Sequence, residues 1–296
     1  MTKILKYEDF HYFDAHVHLF PEKLFTSIWS YFEHNYWPIY FKDTPENLAL
    51  RLVDDFNVKQ FLVLNYAHKP GIARSMNDWT YSFCSSPRLK GMAIPFGTIH
   101  PGDSDMVEEV DRIFDQFGFA GIKLQLMVTD FYLSDQRMKP VYDKILAHDK
   151  VLLVHVGTGP TYTNYFPGPR RKYHYTGVKY LKDFMEAYPE IKIIIPHMGA
   201  EEYEDMWPLA RSYPNLYFDS AMICAKGNTA FDDEMDSVSD KRLYEISDRI
   251  LFGSDYPNIP YDYQNSVMGW LERKMERSFY EKIFFENAQQ LFRPHP

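Results

Sequence analysis

Short apolar runs recur along the chain, and longer stretches between them return to an apolar position every three or four residues. The runs cover 12–18, 58–65, 90–96, 119–126, 150–156, 192–197, 216–219 and 249–254. Runs of this length, rich in Val, Ile, Leu and Phe, predict strands buried on both faces. The stretches 104–117, 136–148, 178–188 and 200–212 have helical length and a single apolar stripe. Eight alternations of this kind predict parallel strands joined by helices. The fold class is α/β, a (β/α)8 TIM barrel rather than an open doubly wound sheet. The 296 residues fit one such domain, 1–296, because these barrels take about 250 residues plus insertions.

Helix starts agree with this pattern. Thr44-Pro45-Glu46 offers a cap followed by proline at the first helical position. Ser104 or Asp103 is expected to cap the helix after Pro101-Gly102. Three inserts follow strands at the end where such barrels build their sites. The first, 20–41, follows strand 1 and is unusually aromatic, with Phe25, Trp29, Tyr31, Phe32, Tyr36, Trp37, Tyr40 and Phe41. The second, 162–175, carries Arg170, Arg171 and Lys172. The third, 221–240, ends in an acidic stretch. The stretch 261–292 reads as helical and aromatic, suited to closing the barrel or meeting a partner.

Composition narrows the function. Hydrophobic residues make up 45%, enough for a large core, and the net charge is −9. A charge of that sign disfavours a nucleic-acid partner, which calls for clustered Lys and Arg. No apolar run approaches the roughly 20 residues needed to cross a bilayer. Residues 1–10 lack the apolar core of a secretory leader. The two cysteines, Cys84 and Cys224, suit a reducing compartment, so the expectation is cytoplasmic with no membrane partner. They also exclude a zinc site built on paired cysteines.

The chemistry collects where the strands stop. In Asp14-Ala15-His16-Val17-His18, the two histidines share a face of the strand, about 7 Å apart at the backbone. Two imidazoles so placed can converge on one ion with bonds of about 2.0–2.1 Å. His155 ends Val-Leu-Leu-Val, and His197 follows three isoleucines and Pro196. Either could be a satisfied core histidine, but the glycines just beyond them let the chain turn sharply over a pocket. Asp255 follows Ile-Leu-Phe-Gly-Ser; a carboxylate there is costly to bury without a cation or hydrogen-bond donors. Lys123 shares its strand face with Gln125, opposite Ile122, Leu124 and Leu126. Facing the barrel interior, it must be paired, neutral or modified. It could pair with Asp14 or Asp219, bind substrate, or carry a carbamate bridging two metals.

Together, Asp14-Ala15-His16-Val17-His18, Gly121-Ile122-Lys123-Leu124, Val154-His155-Val156-Gly157, Pro196-His197-Met198-Gly199 and Gly253-Ser254-Asp255-Tyr256-Pro257 resemble the amidohydrolase superfamily. The likeness is to its amidohydrolase-related (type 2) branch, which includes the aminocarboxymuconate-semialdehyde decarboxylase-like enzymes. The resemblance implies His16, His18, His155 and Asp255 as metal ligands and His197 as a catalytic residue; close to a metal-bound water, Asp255 would be catalytic as well, accepting its proton. It implies zinc, one Zn2+ rather than two, although Lys123 falls where some members carry a carboxylated lysine. Dimers are common in this branch, so a homodimer is implied too.

The first functional expectation is hydrolysis of a small-molecule amide, ester or lactone by a metal-activated water. The alternative is non-oxidative decarboxylation of a small aromatic or unsaturated acid. The aromatic insert and the Arg170-Arg171 pair would suit such an acid, or they are simply lid core and solvated loop. A barrel that only binds a ligand is disfavoured, since buried ionisable groups without a task would cost stability.

Overall fold

The computed structural model describes residues 4–129, 131–157, 176–227 and 238–293. The strands are β1 (Tyr12–Val17), β2 (Val58–Val63), β3 (Ala93–Gly97), β4 (Gly121–Gln125), β5 (Val151–His155), β6 (Lys192–Ile195), β7 (Leu216–Asp219) and β8 (Ile250–Leu251). They form one sheet in chain order. Parallel registers pair Phe96 with Gly121, Lys123 with Leu153, Leu152 with Ile193, and Ile194 with Tyr217. β1 meets the β8 region through Ala15 N–H donating to Phe252 O, 2.8 Å. A parallel bridge between Val17 and Tyr256 extends that contact. The result is the expected barrel of eight parallel strands, nearly closed, with helices between them.

The apolar runs are buried on both faces: Leu152, Leu153, Val154, Ile193, Ile194 and Ile195 are all inaccessible. Glycine has a definite task at Gly121, where a Cβ would lie 2.1 Å from Val151 O and 2.6 Å from a Phe96 ring carbon. Only a missing side chain lets β4 pass there.

Contacts divide the described residues into two compact units. One holds 4–62 and the described residues from 219 to 293; the other holds those from 63 to 218. In the first unit, the insert after β1 forms the helix Glu22–Asn35 and an extended return. Phe25, Trp37, Ile39 and Phe41 are buried, whereas Tyr31 and Tyr40 are exposed. The return is tied to the loop after β8: Trp37 Nε1–H donates to Asn258 O, 2.8 Å, and Tyr40 N–H to Ile259 O, 3.0 Å. Phe25, Trp37 and Phe41 therefore act as packing. The helix Pro45–Asp54 starts as expected, with Thr44 Oγ1 accepting from Asn47 N–H. The C-terminal stretch folds as Asn265–Glu272, Arg277–Glu281, a π turn Lys282–Glu286 and Asn287–Leu291. It packs on β8, where Phe252 N–H donates to Ile283 O and the Asn287 amide donates to Ser247 O and Ile250 O.

In the second unit, two expected helices differ from the sequence reading. The helix after Gly102 runs Met106–Asp111 and continues as a π turn, Arg112–Gln116. Its N-cap is Asp105, with no side-chain cap bond. Asp103 lies two residues before that cap and instead accepts from Gly71 N–H at 2.6 Å. The stretch 200–212 is not one helix but two short ones, Tyr203–Met206 and Leu209–Ser212, separated at Pro208, which offers no N–H to continue the first. Among the described residues, no helix is long and apolar enough to cross a membrane.

Gly121→Ala is expected to destabilise the fold by about 3 kcal/mol or more, since overpacking against backbone has no cheap relief. Urea unfolding monitored by circular dichroism checks this; an unchanged midpoint would contradict the close approach.

Candidate metal centre

Three buried ligand atoms converge in the first unit. His16 Nε2 lies 3.1 Å from His18 Nε2, and Asp255 Oδ1 is 3.5 Å from the first and 3.0 Å from the second. Atoms bound to one ion at about 2.1 Å stand about 3.0 Å apart at right angles and about 3.4 Å apart in a tetrahedron. The observed triangle matches that spacing, and all three residues are buried. Two imidazole lone pairs and a carboxylate oxygen facing one another would repel without a cation or a proton among them. The donor set therefore fits a divalent metal ion.

The surroundings fix each ligand. His16 Nδ1–H donates to Asp219 Oδ2 at 2.8 Å, leaving the lone pair of Nε2 facing His18 and Asp255. Asp219 is inaccessible and also accepts from Ala221 N–H. This is the usual way a protein sets the tautomer and ring angle of a metal-binding histidine. Gly253 makes room: a Cβ there would lie 2.9 Å from His16 Cβ and 3.2 Å from Asp219 Oδ1. His18 stacks on Phe20, with ring centres 6.0 Å apart. Asp255 sits at φ +67° and donates its own N–H to His16 O. A left-handed backbone costs a non-glycine residue energy and persists where neighbouring structure imposes it.

Asp14 ties β1 to the loop after β8. It accepts from His16 N–H, Ser254 N–H, Ser254 Oγ–H and Tyr263 Oη–H. Complete burial pushes its carboxyl up to about 7, while those donors pull the other way. Burial, with Asp14 beside it, drives the Tyr263 phenol well above its usual range, so Tyr263 remains a donor.

The second unit places further sequence-predicted residues on neighbouring strand ends. Gln125 and His155 lie side by side in register, with Gln125 Nε2 3.2 Å from His155 Nδ1. The His155 and His197 rings are 4.9 Å apart. His197 stands on a left-handed run after β6: His197, Met198, Gly199 and Ala200 all have positive φ. Trp207 Nε1–H holds that run by donating to Met198 O at 2.7 Å. Lys123 is inaccessible, one side-chain layer before Gln125 on the same face of β4. Arg170 and Arg171 lie outside the described residues.

Thus the structure brings His16, His18 and Asp255 together, and His155 with His197. Sequence reasoning missed Asp219 as the partner of His16, Asp14 and Tyr263 as a brace, and Gln125 as the neighbour of His155. A carboxylate closing β7 after Leu-Tyr-Phe was the available signal for Asp219. A second grouping, Asp111, Asp115 and His148, lies at the surface, with Asp111 already paired to Lys144.

The profile of the family described as amidohydrolase matches residues 13–293. No curated protein sequence matches the chain. Solved structures similar to it include an uncharacterised TIM-barrel protein of Bordetella bronchiseptica, with 17% identity and a TM-score of 0.70 over 95% of this chain and 98% of that one. The 5-carboxyvanillate decarboxylase of Sphingomonas paucimobilis has 15% identity and a TM-score of 0.67 over 96% and 99%. A dihydroxybenzoic acid decarboxylase of a Polaromonas species, solved with manganese and the inhibitor 2-nitroresorcinol, has 18% identity and a TM-score of 0.66 over 95% and 96%. At such identities these likenesses establish the fold.

Asp219→Ala should weaken divalent-metal affinity by about 10–100-fold, the usual loss when a ligand's supporting partner is removed. Competition against a chelator measures it; wild-type affinity would show that Asp219 does not orient His16.

Proposed function

The chain belongs to the amidohydrolase family, and from that premise we propose a metal-dependent decarboxylase that releases carbon dioxide, without oxidation, from a small hydroxylated aromatic or related unsaturated acid. The carrying observation is the buried triangle of His16 Nε2, His18 Nε2 and Asp255 Oδ1. The decarboxylases among its structural neighbours support this reading over the hydrolysis first expected from the sequence.

One divalent ion is proposed, held by His16, His18 and Asp255, with His155 added from the family resemblance. Zinc is the sequence expectation, and the manganese in the Polaromonas structure supports a broader choice of ion. When bound, such an ion supplies a Lewis acid for a substrate carboxylate and an adjacent oxygen. The chain's own residues then handle the proton. Because Asp255 Oδ1 faces the imidazoles, Oδ2 is the oxygen to carry it. Asp255 gives that proton to the ring carbon bearing the carboxylate. The carbon–carboxylate bond breaks, its electron pair restores the ring, and carbon dioxide leaves. Asp255 recovers a proton from water. His197 is assigned to steady the substrate's carboxylate as its charge is lost.

Hydrolysis is the second reading, favoured by the family's own description. Asp255 would then take the proton of an attacking water and pass it to the leaving group, with His197 polarising the carbonyl.

A screen of hydroxybenzoates and muconate-like acids, followed by carbon dioxide release, separates the two. The expected result is release by the metal-loaded protein, none after chelation, and recovery on adding back manganese or zinc. Asp255→Asn should lower kcat by at least about 10³-fold, the scale of a lost acid–base group. Full activity in metal-free protein would overturn both enzymatic readings, and turnover of lactones or amides without carbon dioxide would favour the second.

A further inference from the structure

His16 and His155 are held by different kinds of partner. His16 Nδ1–H donates to a carboxylate, so its Nε2 lone pair is settled. His155 Nδ1 instead faces the Gln125 side-chain amide, 3.2 Å away. An amide carries a donor and an acceptor of nearly equal size, so it can meet an imidazole nitrogen in either sense. If its N–H donates to Nδ1, the neutral ring carries its proton on Nε2 and that nitrogen has no lone pair to offer a metal. If its Oε1 accepts from Nδ1–H, the lone pair is on Nε2. In the recorded orientation Gln125 Oε1 is buried and makes no hydrogen bond. Rotating the amide by half a turn places that oxygen on His155 Nδ1 and the amide nitrogen where the oxygen was, so the contact itself permits either sense, and only the second leaves a lone pair on Nε2 for a metal. The strand register supports a fixed contact, since Gln125 and His155 are paired residues of β4 and β5. Thr129 Oγ1–H donates to Gln125 O at 2.8 Å and anchors the end of β4.

We propose that Gln125 is a positioning residue whose amide oxygen accepts from His155 Nδ1–H and so makes His155 Nε2 a metal-binding nitrogen. Gln125 thereby does for His155 what Asp219 does for His16, with a neutral acceptor in place of a charged one. The inference rests on the reading that His155 is a ligand.

The test uses full-length protein, with affinity for zinc measured by chelator competition and tautomers read by nitrogen NMR of labelled histidine. In zinc-loaded wild type, His155 should carry its proton on Nδ1. Gln125→Met, which removes both donor and acceptor at similar length, should weaken zinc affinity about 10–100-fold. Gln125→Glu, which keeps only the acceptor, should retain wild-type affinity or exceed it. A proton on His155 Nε2 in the loaded protein would overturn the proposal, as would Gln125→Glu weakening affinity as much as Gln125→Met. His155→Ala separates the premise from the inference. If His155→Ala weakens binding and Gln125→Met does not, the positioning role alone fails. If His155→Ala binds zinc as wild type does, the ligand reading fails and takes this role with it. Should Gln125→Met not fold, the wild-type spectrum and Gln125→Glu still decide.

Discussion

Asp255 lies buried against the Nε2 atoms of two histidines, and the rest of the site follows from that arrangement. Its Oδ1 is 3.0 Å from His18 Nε2 and 3.5 Å from His16 Nε2. Without a proton or a cation among these atoms such a cluster is unfavourable, because burial removes the water that would otherwise screen it. A divalent cation turns the repulsion into coordination. Asp219 presents the correct nitrogen of His16, Gly253 gives His16 and Asp219 room, and the Asp14 brace holds β1 to the loop that carries Asp255.

Backbone conformation tells a similar story. Among the described residues, six of the nine non-glycine residues with positive φ lie just past β6 (His197, Met198, Ala200), past β7 (Met222, Cys224) and at Asp255 past β8, the others being Asn57, Asp149 and Lys274. Conformations of this kind cost about 1–3 kcal/mol each and are kept where the surrounding structure imposes them. Their concentration at one end of the strands agrees with the rule that barrels of this type assemble their chemistry there.

Much of this was legible in the sequence because burial leaves a strong pattern. Runs such as Val151-Leu152-Leu153-Val154 and Ile193-Ile194-Ile195 can be little other than core strands, and side chains at their ends fall on the site by topology. The alternation of Ile122, Lys123, Leu124 and Gln125 correctly put Lys123 in a buried position. What stayed hidden depends on distant partners. Asp219 meets His16 across 203 residues of chain, a pairing no periodicity encodes. Asp103 looked like a helix cap, but the N-cap falls two residues later and Asp103 accepts from Gly71 instead. The break in 200–212 follows from Pro208, and the left-handed run before it has only Gly199 as a sequence signal. The aromatic insert left two readings open in the sequence, a pocket for an aromatic acid or lid core, and the burial of Phe25, Trp37 and Phe41 agrees with the second for those three.

The central claim is that one metal ion sits on His16, His18 and Asp255. Anomalous diffraction from crystals grown with manganese addresses it directly. The account predicts a peak about 2.0–2.3 Å from His16 Nε2, His18 Nε2 and Asp255 Oδ1. A protein that binds manganese with no peak at that triangle, or with its peak at Asp111, Asp115 and His148 instead, would contradict it.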